Sequence, residues 1–351
     1  MPAAGAATAT RRDPADVLRA FGRAVGATPI VHLVLEIAGR PRRIGIKLEG
    51  ENPCGSIKDR TAVSLLESVG AARLADASLL VESTSGNLGV SFAYLARQLG
   101  LEFLAVVDPK LSPSVRERMR ALGARIDTVR TADRTGGYLL SRLDRVRQVM
   151  RTTPGAVWPD QYTNPANPRA HRLGTGPEIV AQTDGRVDAV FVAVSTGGTV
   201  AGIAAHLREA NPGARIVGVD AVGSVVFENH PGPRRLSGIG ASRRSDFIVA
   251  GSTDAHVLVG DEPAFAFCRS LLGWTGLRVG GSSGAVLAGC VRYLARHPEI
   301  TAPVCVAADT GDNYAKTIFN DDYLRGEGIT LGPDLLRPGP GLPPVRCLGM
   351  D

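Results

Sequence analysis

The sequence predicts an α/β protein built on two open, mostly parallel sheets with a cleft between them. Short apolar segments rich in β-branched residues recur along the chain, and helix-length segments alternate with them. Such segments form the buried strands of parallel sheets, which are connected by right-handed crossovers. With 351 residues, of which 44% are hydrophobic, the chain is long enough for two α/β lobes. Ligands of such sheets bind at the carboxyl ends of the strands.

The predicted elements follow one another in a regular order. The predicted strands are residues 78–83, 103–108, 189–194, 215–220 and 303–308. The predicted helices are residues 86–99, 114–122, 136–150, 197–209 and 283–296. At the two ends, residues 1–13 are predicted to be disordered, and the Pro- and Gly-rich residues 332–351 are predicted to form an extended tail. The loops that lead from strands into helices are therefore the places to search for a site.

Composition and charge exclude several classes of function. The net charge is +6, but the arginines are scattered singly among acidic residues, which argues against a nucleic-acid partner. No apolar run reaches the roughly 18 residues that a membrane helix needs, and the N-terminus lacks the apolar core of a secretory signal. The five cysteines lie far apart without a C-x-x-C pair, so we expect neither disulfides nor a metal site. We therefore expect a cytoplasmic protein without a membrane partner.

One lysine stands out because lysine is rare in this chain. Of the 40 basic residues only four are lysines: Lys47, Lys58, Lys110 and Lys316. Lys58 follows the turn Asn-Pro-Cys-Gly-Ser at 52–56 and begins an apolar helical run. A lysine amine can lose its proton when it is desolvated and form an imine, which an arginine cannot do. Lys58 is therefore a candidate catalytic residue, whereas Lys47 and Lys316 lack the motif and are predicted to lie at the surface.

Two further loops have the composition of anion-binding or turn segments. The loop 82–89, Glu-Ser-Thr-Ser-Gly-Asn-Leu-Gly, opens a helix with free backbone N–H groups, which suit a carboxylate or a phosphate. An ordinary N-cap has the same pattern, so this loop alone does not decide the matter. The loop 279–285, Val-Gly-Gly-Ser-Ser-Gly-Ala, is a weaker signal, because Gly and Ser also mark simple turns.

The loop 194–202 is the strongest candidate for a phosphate site. Gly197 and Gly198 let the backbone close on a phosphate, while Thr196 and Thr199 can donate hydrogen bonds to its oxygens. A dinucleotide fingerprint is the alternative, but the Gly-x-Gly-x-x-Gly spacing fails because the third position counted from Gly197 is Thr199. The pattern therefore favours a simple phosphate.

Together these motifs resemble the fold-type II enzymes that use pyridoxal 5′-phosphate (PLP), the cysteine synthase and cystathionine β-synthase family. The resemblance runs from about residue 28 to about residue 324. The matching stretches are the lysine motif at 52–60, the substrate loop at 84–88, the phosphate loop at 195–199, the serine loop at 281–284, and the cleft segments at 161–167 and 174–179. It implies a larger PLP-binding domain formed by residues 14–50 plus 161–331, a smaller mobile domain at 51–160, and a homodimer.

The resemblance also implies a role for each matching residue. Lys58 would hold PLP as an imine and act as the base that removes the Cα proton of an amino-acid substrate. Asn87 would bind the phenolic oxygen of PLP, and Ser282 its ring nitrogen. The residues implied in phosphate binding are Ser195, Thr196, Gly197, Gly198 and Thr199. The residues implied in substrate binding are Thr84, Ser85, Gly86, Asn87, Gln161, Tyr162 and Arg243.

The implied reaction is a β-replacement on an activated L-serine, in which a β-leaving group is eliminated and a second nucleophile takes its place. The chain departs from cysteine synthases at Ser195, which is usually Gly, at Tyr162, which is usually Phe, and at Ser-Arg-Arg 242–244. These changes make the cleft more polar and more basic, so we expect a substrate more anionic than acetylserine.

The chain most resembles the branch that joins O-phospho-L-serine to L-glutamate. That reaction gives N-(2-amino-2-carboxyethyl)-L-glutamate on the way to 2,3-diaminopropionate in siderophore or antibiotic biosynthesis. A cysteine synthase or cystathionine β-synthase activity is the alternative within the family, and a non-catalytic binding protein is a remote one.

Several candidates also have a purely structural interpretation. Cys54 is expected to pack, and His171 is expected to be a structural hydrogen-bonding residue. For Tyr162, packing is the alternative to substrate binding. Arg243 follows the Gly-Ile-Gly segment at 238–240, from which it could reach either the phosphate of phosphoserine or the carboxylate of glutamate. A solvated arginine is the alternative in a chain so rich in arginine.

Overall fold

The computed structural model describes residues 11–134, 136–331 and 342–351. The strands are β1 (Ile30–Ile37), β2 (Arg40–Leu48), β3 (Leu79–Ser83), β4 (Glu102–Val107), β5 (Arg125–Thr128), β6 (Ala156–Val157), β7 (Ala189–Ala193), β8 (Arg215–Ala221), β9 (Ala255–Val259), β10 (Pro303–Ala307) and β11 (Val345–Met350). The helices are α1 (Pro14–Ala24), α2 (Lys58–Val69), α3 (Ala71–Ala75), α4 (Asn87–Leu99), α5 (Pro113–Ala121), α6 (Leu139–Thr152), α7 (Ala166–Ala170), α8 (Gly176–Gln182), α9 (Gly198–Ala210), α10 (Asp261–Thr275), α11 (Gly281–Arg296) and α12 (Asp321–Gly326).

The strands form two sheets, which confirms the predicted fold class. In the described part of the chain, a four-stranded parallel sheet has the order β5-β4-β3-β6. A seven-stranded sheet has the order β11-β1-β2-β10-β7-β8-β9. Strands β2, β10, β7, β8 and β9 are parallel to one another, and β1 is antiparallel to both β2 and β11. The smaller sheet is built from 79–157 only, while the predicted domain boundaries themselves stay a prediction.

Helices cover both faces of each sheet. In β7, Phe191 points to the face covered by α10 and α11, and Val190 points to the opposite face, where α8 and α9 pack. The smaller sheet is covered by α2 and α4 on one face, where Phe92 is fully buried, and by α6 on the other, where Val146 is fully buried. Burial of each such side chain stabilises the folded protein by roughly 1.5–3 kcal/mol, because its apolar surface is removed from water.

The predicted elements are present, with bounds that differ from the predictions by at most three residues. The sequence analysis missed the hairpin of β1 and β2, because it searched for continuously apolar runs. Strand β1 alternates between buried and partly exposed residues, and the first half of β2 is mostly exposed. This period of two is typical of an antiparallel strand with one solvated face. None of the helices in the described ranges is long and apolar enough to cross a membrane.

The two chain ends are partly described. Residues 1–10 lie outside the described residues, and the predicted disorder of 1–13 stays a prediction. Within 11–13, Arg11 Nη1 donates to the carbonyls of Ala75 and Ala77, and Asp13 accepts from the Ala15 N–H at the start of α1. In the predicted tail, 332–341 lie outside the described residues. The rest supplies β11, which extends the large sheet by pairing with β1.

Candidate active site

Lys58 is the first residue of α2, and the turn that leads into it is tied to the end of β10. Ser56 pairs with Asp309 in an isolated antiparallel bridge. The Ile57 N–H donates to the Ala308 carbonyl at 2.8 Å. The motif therefore places Lys58 at the carboxyl edge of the large sheet, where the fold class predicts a ligand.

The ammonium group of Lys58 is removed from water although part of the side chain is exposed. Burial lowers the pKa of Lys58, and the nearby carboxylate of Asp309 opposes this shift. Lys58 Nζ forms no hydrogen bond or ion pair with any described residue. A neutral amine is the nucleophilic form of lysine, so desolvation prepares Lys58 for covalent chemistry.

The predicted phosphate loop lies between β7 and α9. Gly197 has a φ of 86°, a conformation that favours glycine. A Cβ on Gly197 would overlap Ser245 Oγ, and one on Gly198 would overlap the side-chain amide of Asn167. The 13-residue helix α9 has no side-chain N-cap, so the N–H groups of its first turn remain available for an anion.

The hydroxyls of this loop are held by the surrounding elements. Ser195 Oγ donates to the Gly240 carbonyl at 3.1 Å. Thr196 Oγ1 accepts from Asn167 Nδ2 at 3.3 Å, and Thr199 Oγ1 lies 3.3 Å from His171 Nε2. The loop is therefore a preformed cradle.

The serine loop presents two adjacent hydroxyls with different surroundings at the start of α11. Ser283 Oγ accepts from the Ala308 N–H at 3.1 Å and so joins the helix to the end of β10. Ser282 is buried, and its hydroxyl has no hydrogen bond among the residues described. Ser282 is thus the hydroxyl that remains available to a ligand, as the resemblance implies.

Asn87 begins α4 and faces the end of β10. Its Nδ2 donates to Asp309 Oδ2 at 2.7 Å, and its Oδ1 accepts from Asn313 Nδ2 at 3.0 Å. The sequence analysis missed both partners, because they follow a strand whose loop has no glycine-rich signature.

These features fit PLP. A desolvated lysine amine without an ion pair can bind the aldehyde, and a glycine cradle at a helix N-terminus can bind the phosphate. One N–H of the Asn87 amide and the hydroxyl of Ser282 are suited to the two polar positions of the ring.

The predicted substrate loop forms the N-terminus of α4. Thr84 is buried, and its Oγ1 accepts from the Gly89 N–H at 3.1 Å, so this hydroxyl serves the helix. Ser85 is exposed, and Gly86 is the N-cap without a side-chain hydrogen bond. The free N–H groups here are suited to a substrate carboxylate.

Two other predicted substrate residues have structural partners. Gln161 Nε2 donates to the Ser83 carbonyl at 2.8 Å, which fixes this side chain against the end of β3. Arg243 Nη2 pairs with Asp246 Oδ2 at 2.6 Å, and the two side chains are 31% and 53% exposed. The structure gives Arg243 no contact with another predicted site residue. If the substrate is anionic, as expected, a different positively charged residue has to bind it.

That cation is Arg142 of α6, which the sequence analysis missed. Arg142 is buried, and its Nε lies 3.4 Å from Asp108 Oδ2. Its Nε and Nη1 have no hydrogen-bond acceptor among the described residues. The hydroxyl of Ser83 lies beside the phenol of Tyr162. Burial raises the pKa of Tyr162 and Arg142 opposes the shift, so the phenol stays protonated and can donate. Guanidinium, hydroxyl and phenol donors therefore lie together beside the substrate loop.

A signal for Arg142 was present in the sequence. Leu139, Leu143, Val146 and Val149 recur at helical spacing and form the buried face of α6, and Arg142 lies on the same face. A charged residue on an apolar helix face requires a partner, and this pattern marks Arg142 among many solvated arginines.

Glu82, near the carboxyl end of β3, is a buried titratable residue to which the sequence analysis assigned no role. Its Oε1 accepts from Trp158 Nε1 at 3.1 Å and from the Ser83 N–H at 2.9 Å. Burial raises the pKa of Glu82 to about 8, so the side chain is protonated in the folded protein at neutral pH.

Glu82→Gln should make the protein less sensitive to rising pH. The pKa of Glu82 is higher in the folded protein than in the unfolded chain. The protonated side chain therefore stabilises the fold fully below about pH 4.5, and this contribution is lost as the pH rises to about 8. Over this window the free energy of unfolding of the parent should fall, relative to the variant, by up to about 1.4 kcal/mol per pH unit. Urea unfolding of both holoenzymes at a fixed cofactor concentration, repeated across this pH range, measures the difference in their free energies of unfolding.

The exposed Glu102, changed to Gln, is the matched control for that experiment. A constant difference between Glu82→Gln and the parent from pH 5 to pH 8 would contradict a protonated Glu82.

The remaining candidates divide between core and surface. Lys47 was predicted to be exposed, which is wrong: it is fully buried near the C-terminal end of β2, and its Nζ pairs with Glu178 Oε2 at 2.7 Å. Lys316 is exposed as predicted. Cys54 packs, and burial raises the pKa of its thiol. His171 is a buried hydrogen-bonding residue, as expected.

Comparisons with known proteins show the family of this chain. The family model described as "Pyridoxal-phosphate dependent enzyme" matches residues 22–311. The N-(2-amino-2-carboxyethyl)-L-glutamate synthase of Ralstonia nicotianae is 44% identical over 86% of this chain and 89% of its own length. The protein of the same name from Cupriavidus metallidurans is 40% identical over the same shares.

A solved structure is similar over nearly the whole chain. It is a variant of a hydrogen sulfide-producing enzyme of Fusobacterium nucleatum, in complex with an α-aminoacrylate intermediate. The TM-score is 0.81 at 26% identity, and the alignment covers 95% of this chain and 99% of the other.

Proposed function

This chain belongs to the family of pyridoxal-phosphate dependent enzymes, and we propose that it converts O-phospho-L-serine and L-glutamate into N-(2-amino-2-carboxyethyl)-L-glutamate and phosphate. The two relatives that carry the name of this synthase support the proposal, because each matches 86% of the chain. In the reaction, the Cβ–O bond of phosphoserine breaks, phosphate leaves, and the glutamate nitrogen bonds to Cβ with loss of a proton.

The observation that carries the proposal is the buried guanidinium of Arg142. Its Nε and Nη1 lack acceptors among the described residues, and an unpaired buried donor is costly. Asp108 lies 3.4 Å from Arg142 Nε. A phosphate ester beside Ser83 and Tyr162 would add charged acceptors for the donors that remain, whereas an acetyl ester would offer only a neutral carbonyl. Arg142 thus replaces Arg243 as the proposed contact of the substrate phosphate.

The other residues of the site have separate roles in binding and in proton transfer. PLP, when bound, supplies an electron sink for the negative charge that develops at the substrate Cα. Lys58 takes the Cα proton at Nζ, and the N–H groups of 85–88 orient the substrate carboxylate. The cradle of Gly197 and Gly198 holds the cofactor phosphate, while Arg142 receives the leaving phosphate. The site therefore has separate places for two phosphates.

Mass spectrometry of the product tests this assignment. The holoenzyme is incubated with phosphoserine or acetylserine, each with glutamate, sulfide or homocysteine as acceptor. We expect the glutamate adduct, formed faster from phosphoserine. Preferential formation of cysteine or cystathionine would refute the proposal and support the alternative reactions of the family.

Arg142→Met should separate the two activated serines. Loss of a charge-assisted contact costs about 1.5–3 kcal/mol, so kcat/KM for phosphoserine should fall roughly 10- to 100-fold. The value for acetylserine should change much less, because that substrate carries no phosphate. Steady-state kinetics with both substrates measure the difference.

Arg145→Met is the control for this change, because Arg145 lies one turn further along α6 and is partly exposed in an ion pair with Asp127. Equal losses with both substrates in Arg142→Met would show that Arg142 only supports the structure.

We further propose that the protein is a homodimer. An apolar groove of about 560 Å³ lies beside α7 and α9, and Leu173 at its edge is 64% exposed. This exposed apolar groove supports the proposal, because contact with a second copy of the chain would remove it from water. Light scattering of the purified protein should give twice the 36.7 kDa chain mass, and a monomer would refute it. The cytoplasm remains the predicted location.

A further inference from the structure

We propose that Asp309 is a positioning residue of the active site. Its carboxylate holds the Asn87 amide as a donor toward the cofactor and places a negative charge beside Lys58. The inference rests on the proposed roles of Lys58 and Asn87, and it does not depend on which substrates the enzyme uses.

The backbone of Asp309 lies where three parts of the site meet. It lies two residues after the end of β10, pairs with Ser56 of the lysine motif, and accepts the Gly280 N–H of the serine loop at 3.4 Å through its carbonyl. Its side chain is buried, and a Cβ on Gly280 would overlap Asp309 Oδ1. Asp309 is therefore held at a fixed place between Lys58 and the serine loop.

A chain of hydrogen bonds decides the orientation of the Asn87 amide. Arg118 Nη1 donates to Asn313 Oδ1 at 3.0 Å, and Asn313 Nδ2 donates to Asn87 Oδ1 at 3.0 Å. Asn87 Nδ2 then donates to Asp309 Oδ2 at 2.7 Å. The chain begins at a guanidinium, which only donates, and ends at a carboxylate, which only accepts when it is ionised.

These two ends leave a single arrangement for both amides. If the Asn87 amide were reversed, its oxygen would face the Asp309 carboxylate and its NH₂ group would face that of Asn313. Both hydrogen bonds would be lost. The second N–H of Asn87 is consequently the group left for the cofactor, and Asn87 can only donate to it.

The two oxygens of the Asp309 carboxylate have different surroundings, and the one without a hydrogen bond in the described residues, Oδ1, indicates that the charge of Asp309 acts on Lys58. Oδ2 accepts from Asn87 and from the Tyr314 hydroxyl, at 2.7 Å each, whereas Oδ1 is buried without a hydrogen-bond partner in the described residues. The titratable groups that act on Asp309 or its hydrogen-bond partner are Lys58, Tyr314 and Cys268. Burial raises the pKa of Asp309, while the hydrogen bonds from Tyr314 and Asn87 and the charge of Lys58 oppose this shift. Of these groups only Lys58 becomes a cation, so an ionised Asp309 favours a protonated nitrogen on Lys58.

Asp309→Asn tests the charge. The variant keeps an acceptor for Asn87 or Tyr314 but loses the negative charge. In a pH titration of the visible absorbance of the substrate-free holoenzyme, the midpoint should fall by about 1–3 units. Asp312→Asn is the matched control, because Asp312 is an exposed acid in the same turn and should leave the midpoint unchanged.

Asn313→Asp tests the orientation. An aspartate at 313 still accepts from Arg118 but offers no N–H to Asn87, so the direction of the Asn87 amide is no longer enforced. We expect the dissociation constant for PLP to rise about tenfold, as for one lost hydrogen bond, without a lower titration midpoint. Equilibrium titration of the cofactor-free protein with PLP measures it.

A wild-type midpoint in Asp309→Asn would overturn the charge role, and unchanged PLP affinity in Asn313→Asp would overturn the orienting role. Neither readout uses a substrate, so failure of the phosphoserine and glutamate assignment would leave both results interpretable.

Discussion

Lys58→Ala should abolish covalent attachment of the cofactor and reduce turnover to near background. Lys58 is the buried amine at the carboxyl edge of the large sheet, and burial lowers its pKa. Removal of a general base alone costs roughly 10²- to 10⁴-fold in rate, and the lost attachment adds to that. Borohydride reduction followed by peptide mass spectrometry shows whether and where PLP is attached.

Two controls separate chemistry from folding. Lys316→Ala removes an exposed lysine and should retain cofactor and rate. Because the environment of Lys58 disfavours its charged form, the cofactor-free Lys58→Ala protein should be at least as stable to heat as the cofactor-free parent. Attachment of PLP at another lysine in Lys58→Ala, with a normal rate, would show that the assignment is wrong.

Gly197→Asp should largely prevent PLP binding. A side chain at this position meets Ser245 Oγ, and its carboxylate would lie against the bound phosphate. At an effective dielectric constant of about 20 and a separation of about 4 Å, like charges repel by about 4 kcal/mol, an upper value that corresponds to nearly 10³-fold in affinity. Cofactor content after dialysis measures this loss.

The chain offers a matched control for this glycine. Gly185 also has a positive φ, of 71°, but a Cβ there meets no atom within 4 Å. Gly185→Asp should therefore bear the same backbone strain and keep its cofactor, while Gly197→Ala reports the steric part of the effect alone. Full cofactor content in Gly197→Asp would exclude 195–199 as the phosphate loop.

The sequence by itself determined the fold class and marked the loops that we propose to hold the cofactor. Strands such as β7 are buried on both faces, so their apolar runs are continuous and visible without a structure. The glycine cradle and the lysine motif are contiguous in sequence, because a phosphate is bound by successive backbone N–H groups of one turn. A site formed by consecutive residues of one loop can therefore be recognised from the sequence alone.

Tertiary structure alone decided which isolated charges belong to the site. Arg142 and Arg243 are both arginines among many, yet one is buried beside Tyr162 and the other pairs with Asp246 at the surface. Lys47 and Asp309 are likewise buried through contacts with residues more than a hundred positions away. The apolar pattern of α6 marks Arg142 as a buried charge, but the partners that set the cost of its burial come from other elements, and no local pattern names them.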